Sequence, residues 1–312
     1  VITKNIYVFT DIDLDGSTSL LVLHWGLGAK LGELKYKATT VSNLRRELLR
    51  WLEEDSFSNY DEVYFLDLDT SNCGDLIDKT NVNIIDHHLT HVQAIQKGVY
   101  KNATVNVIEN TSCAKQLYKH FKTITPGFES TLSAEQKILI ALADDYDSYQ
   151  LKLEDSYNLN CLLINTQKTL DKTRVDKFAE RFYVGFKGFN QQEKNIIKEY
   201  ITGRDLAIKN LQIYTGSINI SKQNLIVTGS MGTKYVNDVC DYLLKNYNSD
   251  IVFFVNTNSS HVSFRKKKEC TVNMSKLANK LCEGGGHEYA AGGKITDTFM
   301  EFVKQLTLTE KL

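Results

Sequence analysis

No apolar run in this chain comes near the roughly 18 residues that a helix needs to cross a bilayer, and Lys4 and Asn5 interrupt the start before a signal-type apolar stretch can form. A membrane span or secretory leader is therefore not expected, and the reading is a cytoplasmic protein. There is also no C-x-x-C pair. The six cysteines, at positions 73, 113, 161, 240, 270 and 282, follow no regular spacing, which argues against a zinc ribbon or a disulfide framework and for free thiols. Charge of one sign is missing as well. A formal net charge of -1 argues against a surface that coats long nucleic acid, because that mode draws on many Lys and Arg contacts to phosphate. The one concentrated basic run, Arg265 to Lys268, reads either as a solvated hairpin tip or as a local phosphate grip.

What is present is an ordinary globular composition, 42% hydrophobic and 24% charged, over 312 residues, which exceeds what one core usually serves and predicts two domains. Short apolar runs alternate with helical patterns, the signature of a parallel sheet with crossover helices. Strands are expected at Ile6 to Thr10, Tyr36 to Val41, Val63 to Leu66 and Val82 to Ile85, and helices after Ser17 and Thr18, from Asn43 to about Glu53, and after Thr111 and Ser112. Ser133 to Ala143 reads as a helix or a helix-strand passage. Later strands are expected at Asn224 to Thr228, Ile251 to Asn256 and His261 to Arg265. The boundaries drawn are residues 1–188 for a parallel-sheet α/β domain with helices on both faces, 189–212 for a helical linker, and 213–312 for a smaller α/β domain.

Acidic and histidine residues follow three of the early strands, which in an open parallel sheet collects them along one edge, where such folds bind ligands. Asp11, Asp13 and Asp15 alternate ahead of Gly16. Three carboxylates so close repel one another unless a cation compensates them, and this points to a hard divalent metal. An EF-hand loop is excluded because its twelfth position, where a bidentate Glu is required, is Val22. Asp67 and Asp69 follow the third of these runs, Asp67 being the preferred ligand, and Asp86-His87-His88 follows the fourth, with His91 just beyond. Imidazoles beside carboxylates suit manganese, iron or zinc better than calcium. In the second half, Gly284, Gly285 and Gly286 free the backbone to approach an oxyanion, with His287 as an added donor. Ser263 and Arg265 end a strand, where the guanidinium can grip a phosphate. His287-Glu288 is not a zinc-protease motif, since the residue four places on is Ala291.

Taken in order, Asp13-Leu-Asp-Gly16, Asp67, Asp86-His-His88, the Asp144 to Asp147 patch, Ser263-Phe-Arg265 and Gly284-Gly-Gly-His-Glu-Tyr-Ala-Ala-Gly292 resemble the DHH phosphoesterase superfamily with its DHHA1 C-terminal domain. The opening is similar to RecJ-type exonucleases; the compact length and Asp145-Tyr-Asp147-Ser-Tyr149 look more like the nanoRNase members. The resemblance implies two divalent cations, usually Mn2+ with Mg2+ as the alternative. Asp13 and Asp15 would sit one on each, Asp67 would bridge, and His87 would bind the second. Asp11 stands where many members have a histidine and is carried over as a further ligand. The last ligand is Asp145 on alignment to Tyr149, with Asp147 as the alternative. His88 would touch the scissile phosphate, and Ser263, Arg265, the three glycines and His287 would hold substrate.

With no serine or cysteine nucleophile paired to a histidine base, the expected chemistry is metal-activated water in an in-line displacement. Near-neutral charge and a short chain favour an oligonucleotide of a few residues or a dinucleotide over a long strand. The alternatives are a RecJ-like single-strand DNA exonuclease, a phosphatase of adenosine bisphosphate, and a phosphodiesterase of linear or cyclic dinucleotides. A homodimer is an allowed assembly. A catalytically silent nucleic-acid-binding module would normally have lost ligands, and here the positions are filled.

Overall fold

The computed structural model describes residues 3–109, 111–167, 169–220, 223–286 and 288–308. The chain divides into two compact units, residues 1–198 and 199–312. The first contains β1 (Lys4–Asp11), α1 (Leu14–Leu27), β2 (Leu31–Thr39), α2 (Val41–Glu54), β3 (Glu62–Leu66), α3 (Gly74–Ile77), β4 (Val82–Asp86), α4 (Leu89–Gln96), β5 (Thr104–Val107), α5 (Cys113–Ile124), α6 (Phe128–Thr131), α7 (Ala134–Asp147), α8 (Glu154–Asn165) and α9 (Arg174–Phe182). Helix α10 (Gln191–Lys209) runs through the boundary. The second unit contains β6 (Ile213–Ile220), β7 (Gln223–Gly232), α11 (Val236–Asn246), β8 (Ile251–Asn256), β9 (His261–Lys266), α12 (Met274–Cys282), β10 (Gly285–Gly286), β11 (Ala290–Lys294) and α13 (Asp297–Leu308). Among the described residues no helix is long and apolar enough to cross a membrane.

In the first unit five parallel strands lie in the order β2-β1-β3-β4-β5. Alternation along each strand supplies two apolar faces. Ile6, Val8, Leu66 and Ile85 face α1, α5 and α7, while Tyr7, Phe9, Val63, Phe65, Val82 and Ile84 face α2 and its neighbours. Central strands buried on both sides read as near-continuous apolar runs, which is why β1, β3 and β4 are visible in the sequence. The edge strand β2 alternates charged and apolar residues, and it begins and ends earlier than the expected Tyr36 to Val41 because Val41 already starts α2. The sheet order reverses between β1 and β3, and the crevice beyond the strand ends at such a switch point is where doubly wound folds take ligands.

The second unit is a mixed sheet in the order β10-β11-β9-β8-β7-β6, with β7 and β8 parallel and the other pairs antiparallel. Helix α11 covers one face through Val239, Cys240 and Leu243. Helices α12 and α13 cover the other over Val262, Phe264 and Phe253.

Phe65 and Phe9 are fully buried and stacked at 4.9 Å between ring centroids on adjacent strands. Truncating Phe65→Ala removes this contact and leaves a cavity the two-sided sheet cannot close, so a loss of about 3–5 kcal/mol is expected in urea unfolding of this unit. A loss below about 1 kcal/mol would contradict this packing.

Candidate metal centre and phosphate-binding strand

The Asp-rich opening is built where β1 hands over to α1. Asp13, rather than Ser17 or Thr18, is the N-cap: its Oδ1 accepts the Gly16 N–H at 2.9 Å. Thr10 Oγ1 donates to the Gly16 carbonyl at 2.7 Å. A Cβ at Gly16 would meet the Asp11 carbonyl oxygen at 2.5 Å, so only glycine lets α1 start this close to the strand. The cap leaves Asp15 inside the first turn, fully buried, where its carboxylate accepts the Cys113 N–H at 2.6 Å and the Ala114 N–H at 2.9 Å. Those two N–H groups open α5, so a carboxylate from one helix fills the positive end of another.

Asp67 follows β3 with φ near +57°, a left-handed backbone that Asp tolerates better than most residues, and its N–H donates to Ile85 at 3.0 Å. His87 Nε2 lies 3.1 Å from Asp67 Oδ1, 3.6 Å from Asp147 Oδ2 and 4.0 Å from Asp15 Oδ2. Burial, then the charge of Asp13, holds the Asp11 carboxyl up at about 8. Burial and Asp13 do the same for Asp147, also to about 8. Asp15 and Asp67 are pushed well above the usual carboxylate range, first by burial and then by neighbouring carboxylates. Burial and the nearby His88 lower the His87 imidazole. Among the described residues no Lys or Arg is ion-paired to Asp11, Asp13, Asp15, Asp67 or Asp147.

Ligand atoms of Asp15, His87 and Asp147 lie within 4.8 Å of one another, as do those of Asp67, Asp86, His87 and His88. Oxygen donors with one or two imidazoles fit Mn2+ or Mg2+, and a buried carboxylate cluster without its own cations is the charge pattern such an ion compensates. Asp86 is the weak member of the second group. Burial opposes its charge, but its two oxygens accept from His88 Nδ1 at 2.6 Å and His91 Nδ1 at 2.7 Å, and these bonds hold its carboxyl well below the ordinary range. In turn, burial lowers His88, but Asp86 outweighs it and the imidazole rises to about 9.

The structure separates Asp145 from Asp147. Helix α7 continues through the whole acidic patch, so residues one apart point about 100° apart. Asp145 turns to the start of α8, accepting the Lys152 and Leu153 N–H groups at 3.0 Å each and the Ser156 hydroxyl at 2.6 Å. Asp147 reaches the cluster, where the sequence reading has Asp145 with Asp147 as its alternative. Asp144, one turn before Asp147, accepts the Ser112 N–H and the Lys115 ammonium at 3.2 and 2.5 Å. Asp69 is a local brace, its oxygens accepting from the Ser71 N–H at 2.9 Å and the Thr90 hydroxyl.

In the second unit Ser263 and Arg265 share one face of β9, half-buried, while Val262, Phe264 and Lys266 point into the other. Arg265 donates to Asn237 Oδ1 at 2.7 Å and to the Phe264 carbonyl at 2.8 Å. The basic run is not a solvated tip. Lys266 is buried, donating to Glu288 at 2.8 Å and Cys270 O at 2.9 Å with Tyr289 beneath it, and Lys267 pairs with Asp250. The triple glycine closes a helix and opens an edge strand. Gly285 and Gly286 pair with Gly292 and Ala291 as β10 against β11, and the Gly284 N–H donates to Ala278 O at 3.2 Å to close α12. A Cβ at Gly284 would meet the Gly292 carbonyl oxygen at 2.0 Å, so backbone packing accounts for this glycine. His287 lies outside the described residues.

The raised carboxyls set a sign. A carboxyl with a raised folded pKa keeps its proton in the fold after the unfolded chain has lost it, so stability falls as pH rises from about 4 to about 8. His88 acts the same way, its contribution present below its unfolded value and lost through about 9. In chelator-treated protein the Tm is expected to fall between pH 5 and 8, and the Tm gain on adding Mn2+ to be larger at pH 8 than at pH 5. A larger gain at pH 5 would contradict proton and cation competing for these oxygens.

Residues 222–309 match the model of the DHHA1 domain. A search of curated proteins finds no match. Among solved structures, RecJ from Thermus thermophilus in complex with Mn2+ is similar over 99% of this chain at 12% identity and a TM-score of 0.60. The chain spans 52% of that protein's length. An exonuclease RecJ bound to manganese matches over 99% of this chain and 91% of its own, at 13% identity and TM-score 0.57. An exopolyphosphatase-related protein from Bacteroides fragilis matches over 98% of this chain and 92% of its own, at 14% identity and TM-score 0.54. Residues 222–309 thus carry a DHHA1 domain, and the chain as a whole shares the fold of the RecJ structures.

Proposed function

We propose that the protein is a metal-dependent phosphodiesterase of short oligonucleotides, with Asp11, Asp13, Asp15, Asp67, His87 and Asp147 as ligands to two divalent cations, Mn2+ foremost. The observation that carries this reading is the mutual charge of the cluster. Four of these carboxyls are raised by burial and by neighbouring carboxylates, which for Asp15, Asp67 and Asp147 come from other segments of the chain, with no Lys or Arg ion-paired to them among the described residues. When bound, the cations supply a water of lowered pKa and neutralise charge on the phosphoryl oxygens.

The chain's own groups have separate tasks. Asp67, raised first by burial and then by Asp13, Asp15 and Asp147, would hold a cation at the centre of the cluster. Asp15 is held in place by two backbone N–H groups, so its position costs little to organise when a ligand arrives. His88, kept positive by Asp86 up to about 9, donates to a phosphoryl oxygen. Arg265, with Ser263 beside it on β9, grips a substrate phosphate. Cys113 is not a nucleophile in this scheme: its Sγ donates to Ile85 O at 3.2 Å and burial pushes the thiol up.

The near-neutral net charge supports a substrate of a few nucleotides over a long strand, whose processive grip uses an extended basic groove. The similarity to RecJ keeps single-strand DNA as the competing substrate.

Asp67→Ala should leave the protein folded and lower Mn2+-dependent hydrolysis by more than about a hundredfold, since even outer partners of metal ligands cost 10–100-fold. Turnover near wild type would end the two-metal reading. With wild-type protein, Mn2+-dependent release of mononucleotides should show a higher kcat/KM on a two-residue RNA than on a long DNA strand; the reverse ranking would move the assignment to a single-strand exonuclease. Asp147→Asn should weaken Mn2+ binding at least about tenfold, whereas Asp145→Asn should spare it and instead cost about 1–3 kcal/mol at the α8 cap. Equal Mn2+ affinities in the two variants would reject Asp147 as the ligand.

A further inference from the structure

Three histidines follow β4 within five residues, and the third, His91, has no part in the scheme above. It is fully buried on the first turn of α4. Its Nδ1 lies 2.7 Å from Asp86 Oδ2, while His88 Nδ1 lies 2.6 Å from Asp86 Oδ1. A carboxylate only accepts, so each Nδ1 carries a proton toward Asp86. On the far side of the ring, His91 Nε2 lies 3.0 Å from the Tyr100 hydroxyl and 3.2 Å from Thr70 Oγ1, and the two hydroxyls are 2.7 Å apart. Thr70 belongs to the loop three residues beyond Asp67, and Tyr100 to the segment leading into β5. Two separate stretches therefore form a polar socket for one buried imidazole.

A carboxylate with a single partner can turn about its Cβ–Cγ bond, and a partner on each oxygen removes that freedom. Asp86 is completely buried, and its main-chain carbonyl is also held, by Gln116 Nε2 at 3.0 Å and the Ile108 N–H at 3.2 Å. The remaining variable is the plane of its side chain, which His91 sets. We infer that His91 is a positioning residue: seated between Thr70 and Tyr100, it occupies Asp86 Oδ2 and so fixes the orientation in which Asp86 presents His88 to the substrate phosphate. The inference rests on the phosphodiesterase reading for the identity of what His88 meets. It makes the working unit Asp86-His87-His88 plus His91, with His87 serving the cations and His91 serving His88.

The test compares His91→Leu, which removes the donor, with His91→Asn, whose side-chain N–H takes the place of Nδ1–H. The readouts are kcat and KM on a two-residue RNA, Mn2+ affinity by calorimetry, and 1H–15N spectra of protein labelled at histidine nitrogen. His91→Leu is expected to raise KM about tenfold, the size typical of lost outer partners, with Mn2+ affinity within about twofold of wild type. The hydrogen-bonded Nδ1 proton of His88 should be lost or broadened, and His91→Asn should recover both. An unchanged KM with an unchanged His88 signal in His91→Leu overturns the proposal. So does a parallel loss of Mn2+ affinity and activity that His91→Asn fails to rescue, which marks a purely structural residue. If His91→Leu does not fold, the wild-type spectrum decides: His91 must carry a hydrogen-bonded proton on Nδ1, and its absence refutes the inference. If wild-type protein cleaves no phosphoester, the reading of the reaction fails, and the same spectra still judge the His91–Asp86–His88 arrangement.

Discussion

The carboxylate of Asp15 seated on the first turn of α5 is the contact on which the rest of the site depends. A buried Asp with charged neighbours is costly to place, and two short backbone hydrogen bonds at a helix N-terminus are what make its position tenable. The same turn of α5 holds two other segments of the cluster. The Ser112 N–H and the Lys115 ammonium take Asp144 on α7, three residues before Asp147. Gln116 takes the carbonyl of Asp86, next to His87, and the Cys113 thiol takes that of Ile85. One helical turn thus gathers the ends of β1, β4 and α7, and the carboxylates that repel one another are tied to a common frame.

That frame explains how a cluster of like charges persists in a folded chain. Hydrophobic burial on the two faces of the sheet supplies the stability, through residues such as Phe9, Phe65, Leu20 and Leu117. The site spends part of it on raised carboxyls. Asp86 works in the opposite sense, since two imidazoles stabilise its charge in a fully buried place. The result is a region in which protons and histidines compete for a few oxygens, a charge pattern that a divalent cation would also fit.

The second unit solves a different problem. Its glycines bring β10 and β11 into close backbone contact, and its basic run alternates across β9, so that Lys266 goes inward to Glu288 while Arg265 stays on the face covered by α11. Adjacent basic residues have unrelated surroundings because a strand points them to opposite sides.

Much of this was legible in the residues alone. The parallel strands announced themselves as apolar runs, and Asp11, Asp13, Asp15, Asp67 and His87 stood at their ends because a parallel sheet puts successive strand ends on one edge. Composition and spacing also pointed away from a disulfide scaffold and a membrane span. What the sequence by itself determined was therefore the fold class, the edge that gathers the acidic and histidine side chains and the types of donor found there. Only the tertiary structure placed Asp147 beside His87 and turned Asp145 to α8, since that depends on how far α7 continues and on the rotation of about 100° per residue that follows. It also decided that Asp13 caps α1, that Lys266 is buried, and that His91 belongs with Asp86. Lys266 meets Glu288 22 residues away, a separation at which local pattern has no hold; the Asp13 cap and the His91–Asp86 bond are near in sequence, but which of several neighbouring polar side chains takes each partner is set by how the surrounding elements pack.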